Sequence, residues 1–224
     1  MDEDKTDITI NTYDNIVDEY VDYFKSKDLG NNVQFQSEID YIVSNINDNA
    51  SILDVGTAIG DYPKYLTEQC NKNFNVVGID ASNNMLERAI KNAPKSKFEL
   101  MDIRELKFEP NTFDAIICFA TLIHINDTEC MKVLDKFNEI LKDKGLIAIN
   151  VMELLDNKKE SLEIEPFNPK YKTYFNRYTK QFFIDYFSHK NYEILKFYDN
   201  PIFNAEKTGE NFSKTNQFSI IVKK

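Results

Sequence analysis

The sequence predicts an α/β fold built on a doubly wound, mainly parallel sheet with helices on both faces. Between residues 50 and 152, short apolar runs alternate with amphipathic helical segments, which is the pattern of consecutive βαβ units. The chain has 224 residues, of which 42% are hydrophobic, so it is long enough to bury the core of one such domain. We therefore expect residues 1–224 to form a single domain.

Residues 1–49 are predicted to form a helical cap. Two sets of large apolar side chains recur at the three- and four-residue spacing of one helical face, and a Gly-Asn-Asn turn at residues 30–32 separates them. The first set is Ile16, Tyr20 and Phe24, and the second is Phe35, Ile39, Ile42 and Ile46.

Residues 50–152 are predicted to hold five strands and three helices. Strands are predicted at residues 51–56, 74–79, 97–101, 113–119 and 146–151, and residues 113–119 are apolar almost throughout, as is typical of a strand buried on both faces. Helices fit residues 62–69, with Asp61 as the N-cap, and residues 83–93 and 127–142. The side chains expected to face the core from the last two helices are Met85, Leu86, Ala89, Ile90, Ala93, Met131, Leu134, Phe137 and Leu141.

After residue 152 this alternation stops. Residues 153–178 are charged, rich in tyrosine and irregular in pattern. An irregular segment of this length inside a domain is usually functional, so we expect a lid or a substrate wall there. Residues 179–224 are predicted to close the fold with a helix that Thr179 caps and that ends at His189, followed by strands at residues 192–198 and 217–222.

The composition disfavours several classes of protein. The formal net charge is −10, which repels a nucleic-acid backbone, and the longest mostly apolar stretch, residues 113–125, is too short to span a bilayer. No signal-peptide pattern opens the sequence, and three cysteines with two histidines offer neither a disulfide framework nor a metal-ligand cluster. We expect a cytoplasmic monomer or homodimer that binds no nucleic acid, membrane or metal.

Residues suited to ligand binding follow the first two strands, at the edge of the sheet where open α/β folds bind their ligands. Asp54, Gly56 and Gly60 follow the first strand, and glycines there let the backbone turn tightly and approach a ligand closely. Asp80 ends the second strand, where a carboxylate can accept hydrogen bonds from both hydroxyls of a ribose.

The next two strands end in further candidates. Asp102 lies between two apolar side chains after the third strand, an arrangement that suits an adenine ring and its amino group. That apolar pair is Met101 and Ile103, and the candidates after the fourth strand are Phe119, Thr121 and His124. Each feature alone is weak, but together they occur in order at the ends of four successive strands.

The motifs ILDVGTAIG, GIDASNNMLERA, FELMDI, FDAIICFATLIHI and LKDKGLIAINV resemble those of class I S-adenosylmethionine-dependent methyltransferases over about residues 50–152. The resemblance implies a seven-stranded sheet whose last strand is antiparallel, with S-adenosylmethionine as the cofactor. The cofactor-binding residues that it implies are Asp54, Gly56, Thr57, Ala58, Gly60, Asp80, Ala81, Met85, Met101, Asp102, Ile103 and Phe119.

The glycine loop departs from the family's usual G-x-G-x-G at its middle position. Ala58 stands there, and alanine does not easily adopt a positive φ and adds a methyl group near the cofactor. A nicotinamide cofactor is disfavoured because the G-x-G-x-x-G fingerprint is missing. Because Ala58 and Ala120 depart from the residues usual at their positions, a catalytically inactive, methyltransferase-like scaffold is an alternative.

His124 is the candidate general base, because it lies near the end of the fourth strand and histidine titrates near pH 7. The segment DAIICFATLIHI resembles that of phosphoethanolamine methyltransferases, in which a tyrosine from the N-terminal region pairs with this histidine. By that resemblance Tyr13 or Tyr20 supplies the tyrosine, although Ala120 replaces the family's aspartate. The alternative is that His124 only packs under the cofactor or caps a turn.

The methyl acceptor is expected to be a small molecule and is predicted to be anionic. Residues 166–224 carry a net charge of +5 against −15 for the rest of the chain, and four cations gather at residues 170–180. Arg177 is the candidate for gripping a carboxylate or phosphate, with Tyr174 beside it. Methylation of protein or RNA is a further alternative, which the acidic first 165 residues disfavour.

Overall fold

The computed structural model describes residues 4–26, 33–200 and 216–224, so the predicted turn at residues 30–32 lies outside the described residues. The N-terminal cap is helical, as predicted, but it divides differently. Helix α1 spans Lys5–Asn15 and α2 spans Val17–Ser26, while α3 spans Gln36–Asn45. Ile16, predicted within a helix, is the buried residue between α1 and α2.

The central sheet follows the predicted alternation closely. Its first five strands are β1 (Ala50–Val55), β2 (Phe74–Asp80), β3 (Lys97–Leu100), β4 (Phe113–Phe119) and β5 (Leu141–Met152). The helices between them are α4 (Asp61–Glu68), α5 (Asn83–Asn92) and α6 (Asp127–Ile140). These five strands lie parallel to one another, so the carboxyl ends of β1 to β4 meet at one edge of the sheet.

Residues 153–178 are not irregular throughout, contrary to the sequence analysis. Strands β6 (Glu160–Ile164) and β7 (Lys172–Asn176) pair antiparallel as a separate hairpin beside the main sheet. Tyr174 lies opposite Leu162 in this hairpin. The segment was misjudged because strand pairing depends on contacts between distant residues, which local charge and proline content do not reveal.

The C-terminal region closes the sheet as predicted. Helix α7 (Lys180–His189) begins after Thr179, whose side chain accepts a hydrogen bond from the Phe182 N–H. Strands β8 (Glu193–Asn200) and β9 (Gln217–Lys223) complete the seven-stranded order β3-β2-β1-β4-β5-β9-β8. Strand β9 runs antiparallel to both neighbours, which confirms the expected antiparallel last strand.

Apolar clusters cover both faces of the sheet, one centred on α6, α7 and β4 and the other on α3, α4 and β1. Two inward-facing assignments were wrong: Ile90 is 54% exposed and Met131 is 39% exposed. Both lie at the margin of an amphipathic stripe, where helical spacing does not separate buried from exposed positions. In the described residues no helix is long and apolar enough to cross a membrane.

Candidate active site

The turn after β1 is shaped by two glycines. Gly56 has φ +71° and Gly60 has φ +79°, in the left-handed region that side chains disfavour. A Cβ on Gly56 would lie 2.1 Å from Thr121 Oγ1, which donates to the Val55 carbonyl. Gly60, rather than the predicted Asp61, is the N-cap of α4. The backbone of the turn is therefore packed closely against the loop after β4.

Ala58 does adopt the positive φ that the sequence analysis considered difficult. Its φ is 46°, and its N–H donates to Asp80 Oδ2 at 2.8 Å, which holds the turn in this conformation. Ala120, after β4, is also left-handed with φ 52°, and its N–H donates to the Asn150 carbonyl. Left-handed non-glycine residues concentrate at functional sites, where the surrounding structure enforces them.

Asp54 is a buried carboxyl at the end of β1. It is 1% exposed and accepts a hydrogen bond from Thr57 Oγ1 at 2.5 Å. Burial raises the pKa of Asp54 to about 7, and the nearby charges of Asp80 and Asp61 act in the same direction. Near neutral pH this carboxyl therefore gains or loses its proton in response to a charge placed beside it.

Asp80 lies at the end of β2 with its carboxylate fixed by the backbone. Oδ2 accepts from the Ala58 N–H, and Oδ1 accepts from the Ser82 N–H at 2.9 Å. Burial raises the pKa of Asp80, and these backbone bonds oppose that rise. A carboxylate offers about four acceptor sites, so these backbone bonds leave capacity to accept from a ribose hydroxyl. Ala81 is half-buried and Met85 is buried beneath it.

Asp102 has a partner that the sequence analysis missed. Its two oxygens accept from the backbone N–H and the guanidinium of Arg104, with the closest approach at 2.6 Å. The same guanidinium pairs with Asp4 and Asp7 of the cap, each at 2.8 Å. Adenine recognition by Asp102 would share its carboxylate with Arg104. The half-buried Met101 and Ile103 pack against the core on either side.

His124 lies in a short 3-10 helix after β4 with its ring fixed at one nitrogen. Nδ1 is 2.8 Å from the Tyr174 carbonyl, which only accepts, so Nδ1 carries the proton and Nε2 holds the lone pair. Burial lowers the pKa of His124 to about 4, and the bond to Tyr174 opposes that fall. The imidazole is therefore neutral at pH 7, in the form that accepts a proton, but it does not titrate near pH 7 as expected from the sequence and is a weaker base than an exposed histidine.

The two N-terminal tyrosines lie beside this histidine. The Tyr13 ring meets the His124 ring edge-on with centroids 5.3 Å apart, and Tyr20 lies 6.3 Å beyond Tyr13. Burial raises the pKa of both phenols, and the Asp80 and Glu165 carboxylates add to the rise. Both phenols therefore stay protonated and can act as hydrogen-bond donors but not as phenolate bases. The Phe119 ring, at the end of β4, packs against those of Phe35 and Tyr62.

The structure does not support Arg177 as the residue that grips the acceptor. Its side chain is 4% exposed and donates to Glu163 at 2.8 Å and to Ser161 at 2.9 Å, within the β6–β7 hairpin. Burial alone would raise the pKa of Glu163, but the hydrogen bonds from Lys158, Ser161 and Arg177 lower it to about 2. The ion pair holds the hairpin together.

The other predicted cations and Tyr174 also differ from expectation. Lys180 pairs with Asp199, and Lys170 and Lys172 are exposed. The Tyr174 ring is buried beneath the Lys5 ammonium, and the group of Tyr174 that contacts His124 is its backbone carbonyl rather than its phenol. Across residues 4–26, 33–200 and 216–224, no group of three His, Cys, Asp or Glu side chains could hold a metal ion.

The strand order, the glycine turn after β1 and the carboxylate at the end of β2 define a Rossmann-like fold of the methyltransferase type. Residues 52–145 match a family model described as a methyltransferase domain. A SAM-dependent methyltransferase from Methanosarcina mazei has the same fold, with a TM-score of 0.66 at 17% identity over 82% of this chain and 96% of that one. Residues 52–145, which include the glycine turn and the strand ends of the site, therefore match a methyltransferase domain, and the chain as a whole shares the fold of such proteins.

Two curated relatives match about half of this chain. An uncharacterized protein from Methanocaldococcus jannaschii is 32% identical over 117 residues, 52% of this chain and 45% of that protein. Phosphoethanolamine N-methyltransferase 3 from Arabidopsis thaliana is 36% identical over 102 residues, 44% of this chain and 20% of that protein. The chain therefore matches less than half the length of either relative.

Proposed function

We propose that this protein transfers a methyl group from S-adenosylmethionine to a small-molecule acceptor, with His124 as the general base. The observation that carries the proposal is the placement of His124, neutral and with its Nε2 lone pair free of the Tyr174 bond, beside Tyr13 at the carboxyl edge of the sheet. The same edge holds the glycine turn and Asp80. The match of residues 52–145 to a methyltransferase domain supports the reaction, and the phosphoethanolamine N-methyltransferase relative supports a small acceptor.

The residues present fit the cofactor. Asp80 is held by two backbone N–H groups with lone pairs left over for the ribose, and Gly56 and Gly60 keep side chains away from the turn. Asp54 would hold the ammonium of the cofactor's amino acid end, because a carboxyl whose pKa is about 7 loses its proton readily beside a positive charge. Bound there, S-adenosylmethionine supplies an electrophilic methyl group on a sulfonium.

The remaining chemistry belongs to the chain's own side chains. Nε2 of His124 accepts the proton of the acceptor's hydroxyl or ammonium, which frees the lone pair that forms the new bond to the methyl carbon as the carbon–sulfur bond breaks. The phenol of Tyr13, which stays protonated and lies beside His124, would orient the acceptor by donating a hydrogen bond. Proximity and orientation supply the rest of the acceleration.

An acceptor held by Arg177 is no longer part of the proposal, because Glu163 occupies that guanidinium. The side chains near His124 and Tyr13 are instead aromatic. Tyr20 packs against Phe167 of residues 153–178, with ring centroids 5.4 Å apart. The alternative of a catalytically inactive scaffold has less support than the sequence suggested, because Ala58 adopts the positive φ that its position in the loop requires.

Two measurements test the proposal. Calorimetry should show S-adenosylmethionine binding that Asp80→Asn weakens by about 10-fold or more, since a charge-assisted hydrogen bond contributes about 1.5–3 kcal/mol. The exposed Asp143→Asn is the matched control. A screen of small amines and alcohols, phosphoethanolamine included, with labelled cofactor should then yield an acceptor.

With that acceptor, His124→Ala should lower kcat by about 10²–10⁴-fold while cofactor affinity stays within a few-fold. The exposed His189→Ala serves as the control. If the wild-type chain does not bind the cofactor, the proposed reaction is wrong. If His124→Ala turns over at the wild-type rate, the assignment of His124 as the general base is wrong.

A further inference from the structure

The His124 ring is fixed by its hydrogen bond to the Tyr174 carbonyl, which lies on the outer edge of strand β7. In the hairpin, Tyr174 lies opposite Leu162, yet the N–H and C=O of Tyr174 bond to groups outside the hairpin. The carbonyl accepts from His124 Nδ1, and the N–H donates to Thr9 Oγ1 of α1 at 3.0 Å. Helix α1 and the His124 ring thus satisfy backbone groups that a further strand would otherwise pair.

These contacts form a directed chain of hydrogen bonds. The Thr9 hydroxyl donates to the Lys5 carbonyl at 3.1 Å, which leaves its oxygen free to accept from the Tyr174 N–H. Tyr174 then accepts the Nδ1 proton of His124. Thr9 is 3% exposed and Tyr174 is 1% exposed, so solvent does not replace a missing hydroxyl at this point without rearrangement.

Helix α1 holds the same histidine from a second direction. The Thr6 hydroxyl donates to the His124 carbonyl at 2.9 Å and anchors its backbone. Thr12, one turn beyond Thr9 on the same buried face, donates to the Lys172 carbonyl of β7 at 2.7 Å. Thr12 therefore makes the same kind of contact between the same helix and strand, but its bond does not lead to the His124 ring.

We propose that Thr9 is a positioning residue that sets the tautomer of His124 through the backbone of Tyr174. This role rests on the proposed function, because only a histidine acting as a base requires its lone pair at Nε2. With the Thr9 hydroxyl present, the Tyr174 carbonyl is held toward Nδ1, so the proton stays on Nδ1 and the lone pair stays on Nε2 of a ring that packs against Tyr13. Without it, the Tyr174 N–H loses its acceptor, the edge of β7 shifts to satisfy that group, and the carbonyl no longer selects Nδ1–H.

Nitrogen-15 NMR of the histidine rings tests this directly on the full chain. The protein has two histidines, so the spectrum holds two ring systems, and exposed His189 is an internal reference. The wild type should show the Nδ1–H tautomer at His124. Thr9→Val, which keeps the shape of the side chain but removes the hydroxyl, should shift the ratio of tautomers by up to about tenfold, the range of one neutral hydrogen bond.

Two variants separate positioning from general stability. Thr9→Ser restores the hydroxyl and should return the wild-type tautomer, and Thr12→Val should leave it unchanged although it removes an equivalent bond between α1 and β7. Thr9→Ala replaces Thr9→Val if that variant does not fold, because it places no methyl group against the Tyr174 N–H. An unchanged tautomer in the folded variant without the hydroxyl would overturn the proposal, as would an equal shift in Thr12→Val.

The kinetic arm uses the acceptor found by the screen. Thr9→Val should lower kcat by up to about tenfold and leave cofactor affinity unchanged, and Thr9→Ser should restore kcat. Because the tautomer is measured without cofactor or acceptor, its outcome does not depend on the reaction. A tautomer shift with wild-type kcat would refute His124 as the base and leave the role of Thr9 in setting the tautomer intact.

Discussion

Asp54 should make this protein less stable as the pH rises, the reverse of the effect of a salt-bridged carboxylate. Burial raises its pKa to about 7, whereas an unfolded aspartic acid titrates near 3.9. Between about pH 4 and pH 7 the native state therefore binds more protons than the unfolded state. Stability falls with rising pH wherever that holds, so the contribution of Asp54 is lost through this window.

The magnitude follows from the separation of the two pKa values. A gap of about three units is worth about 4 kcal/mol in total, of which about 2–3 kcal/mol falls between pH 5 and pH 8. His124 acts with the opposite sign, because burial lowers its pKa to about 4 and the unfolded state then binds more protons up to about pH 6.5. The raw stability curve therefore mixes the two groups, and only a difference between variants isolates Asp54.

Denaturant unfolding of the wild type and Asp54→Asn at pH 5, 6, 7 and 8 measures that difference. Asparagine keeps an oxygen for the Thr57 hydroxyl and cannot ionise, so the stability of Asp54→Asn relative to wild type should rise by about 2–3 kcal/mol from pH 5 to pH 8. Asp143→Asn, at an exposed carboxylate, should show a difference that does not vary with pH. If the free energy of unfolding varies with pH in the same way in the wild type and in Asp54→Asn, then Asp54 is not a buried carboxyl with a raised pKa.

Three further predictions test the packing of the site. Gly56→Ala should lower the free energy of unfolding by about 2–5 kcal/mol, because its backbone is left-handed and the new Cβ would lie 2.1 Å from the Thr121 hydroxyl. Gly60→Ala should lower it by less, because the nearest atom to its new Cβ is 3.0 Å away. Equal losses in the two variants would contradict this explanation. Arg104→Gln should destabilise the protein by about 1–3 kcal/mol at low salt and by less at high salt, since its partners in the cap are partly exposed; a loss independent of salt would argue against the ion pairs. Arg177→Met should cost about 1–3 kcal/mol, and adding Glu163→Gln should recover part of it in a double-mutant cycle; unchanged stability with a raised KM would return Arg177 to the acceptor site.

The buried strands were predictable because a continuous apolar run has few alternatives to the interior. Strand β4 has the predicted bounds, Phe113–Phe119, and residues 113 and 115–119 are all buried. The candidate residues at the strand ends were predictable for a related reason. Once five strands are parallel, the carboxyl ends that carry Asp54, Asp80 and His124 must share one edge of the sheet.

The charged residues of the insert were not predictable in the same way. A cluster of cations in sequence says nothing about their partners, and the partner of Arg177 lies 14 residues earlier, across a hairpin whose pairing local pattern did not reveal. Asp102 illustrates the same limit at short range. Arg104 is two residues away in the sequence, but only the fold shows that its guanidinium also reaches the cap, at Asp4 and Asp7.

Helix α1 escaped the search for apolar periodicity because its buried face is made of Thr6, Thr9 and Thr12 rather than large apolar side chains. A hydroxyl face buries little apolar surface, so α1 is attached to the fold by directed hydrogen bonds, whose net value is about 0.5–1.5 kcal/mol each. Hydrogen bonds fix orientation where apolar contacts do not, because each requires a particular donor and acceptor geometry. The three-residue spacing of the threonines was visible in the sequence, and its meaning followed only from the β7 edge and the His124 backbone that they bind.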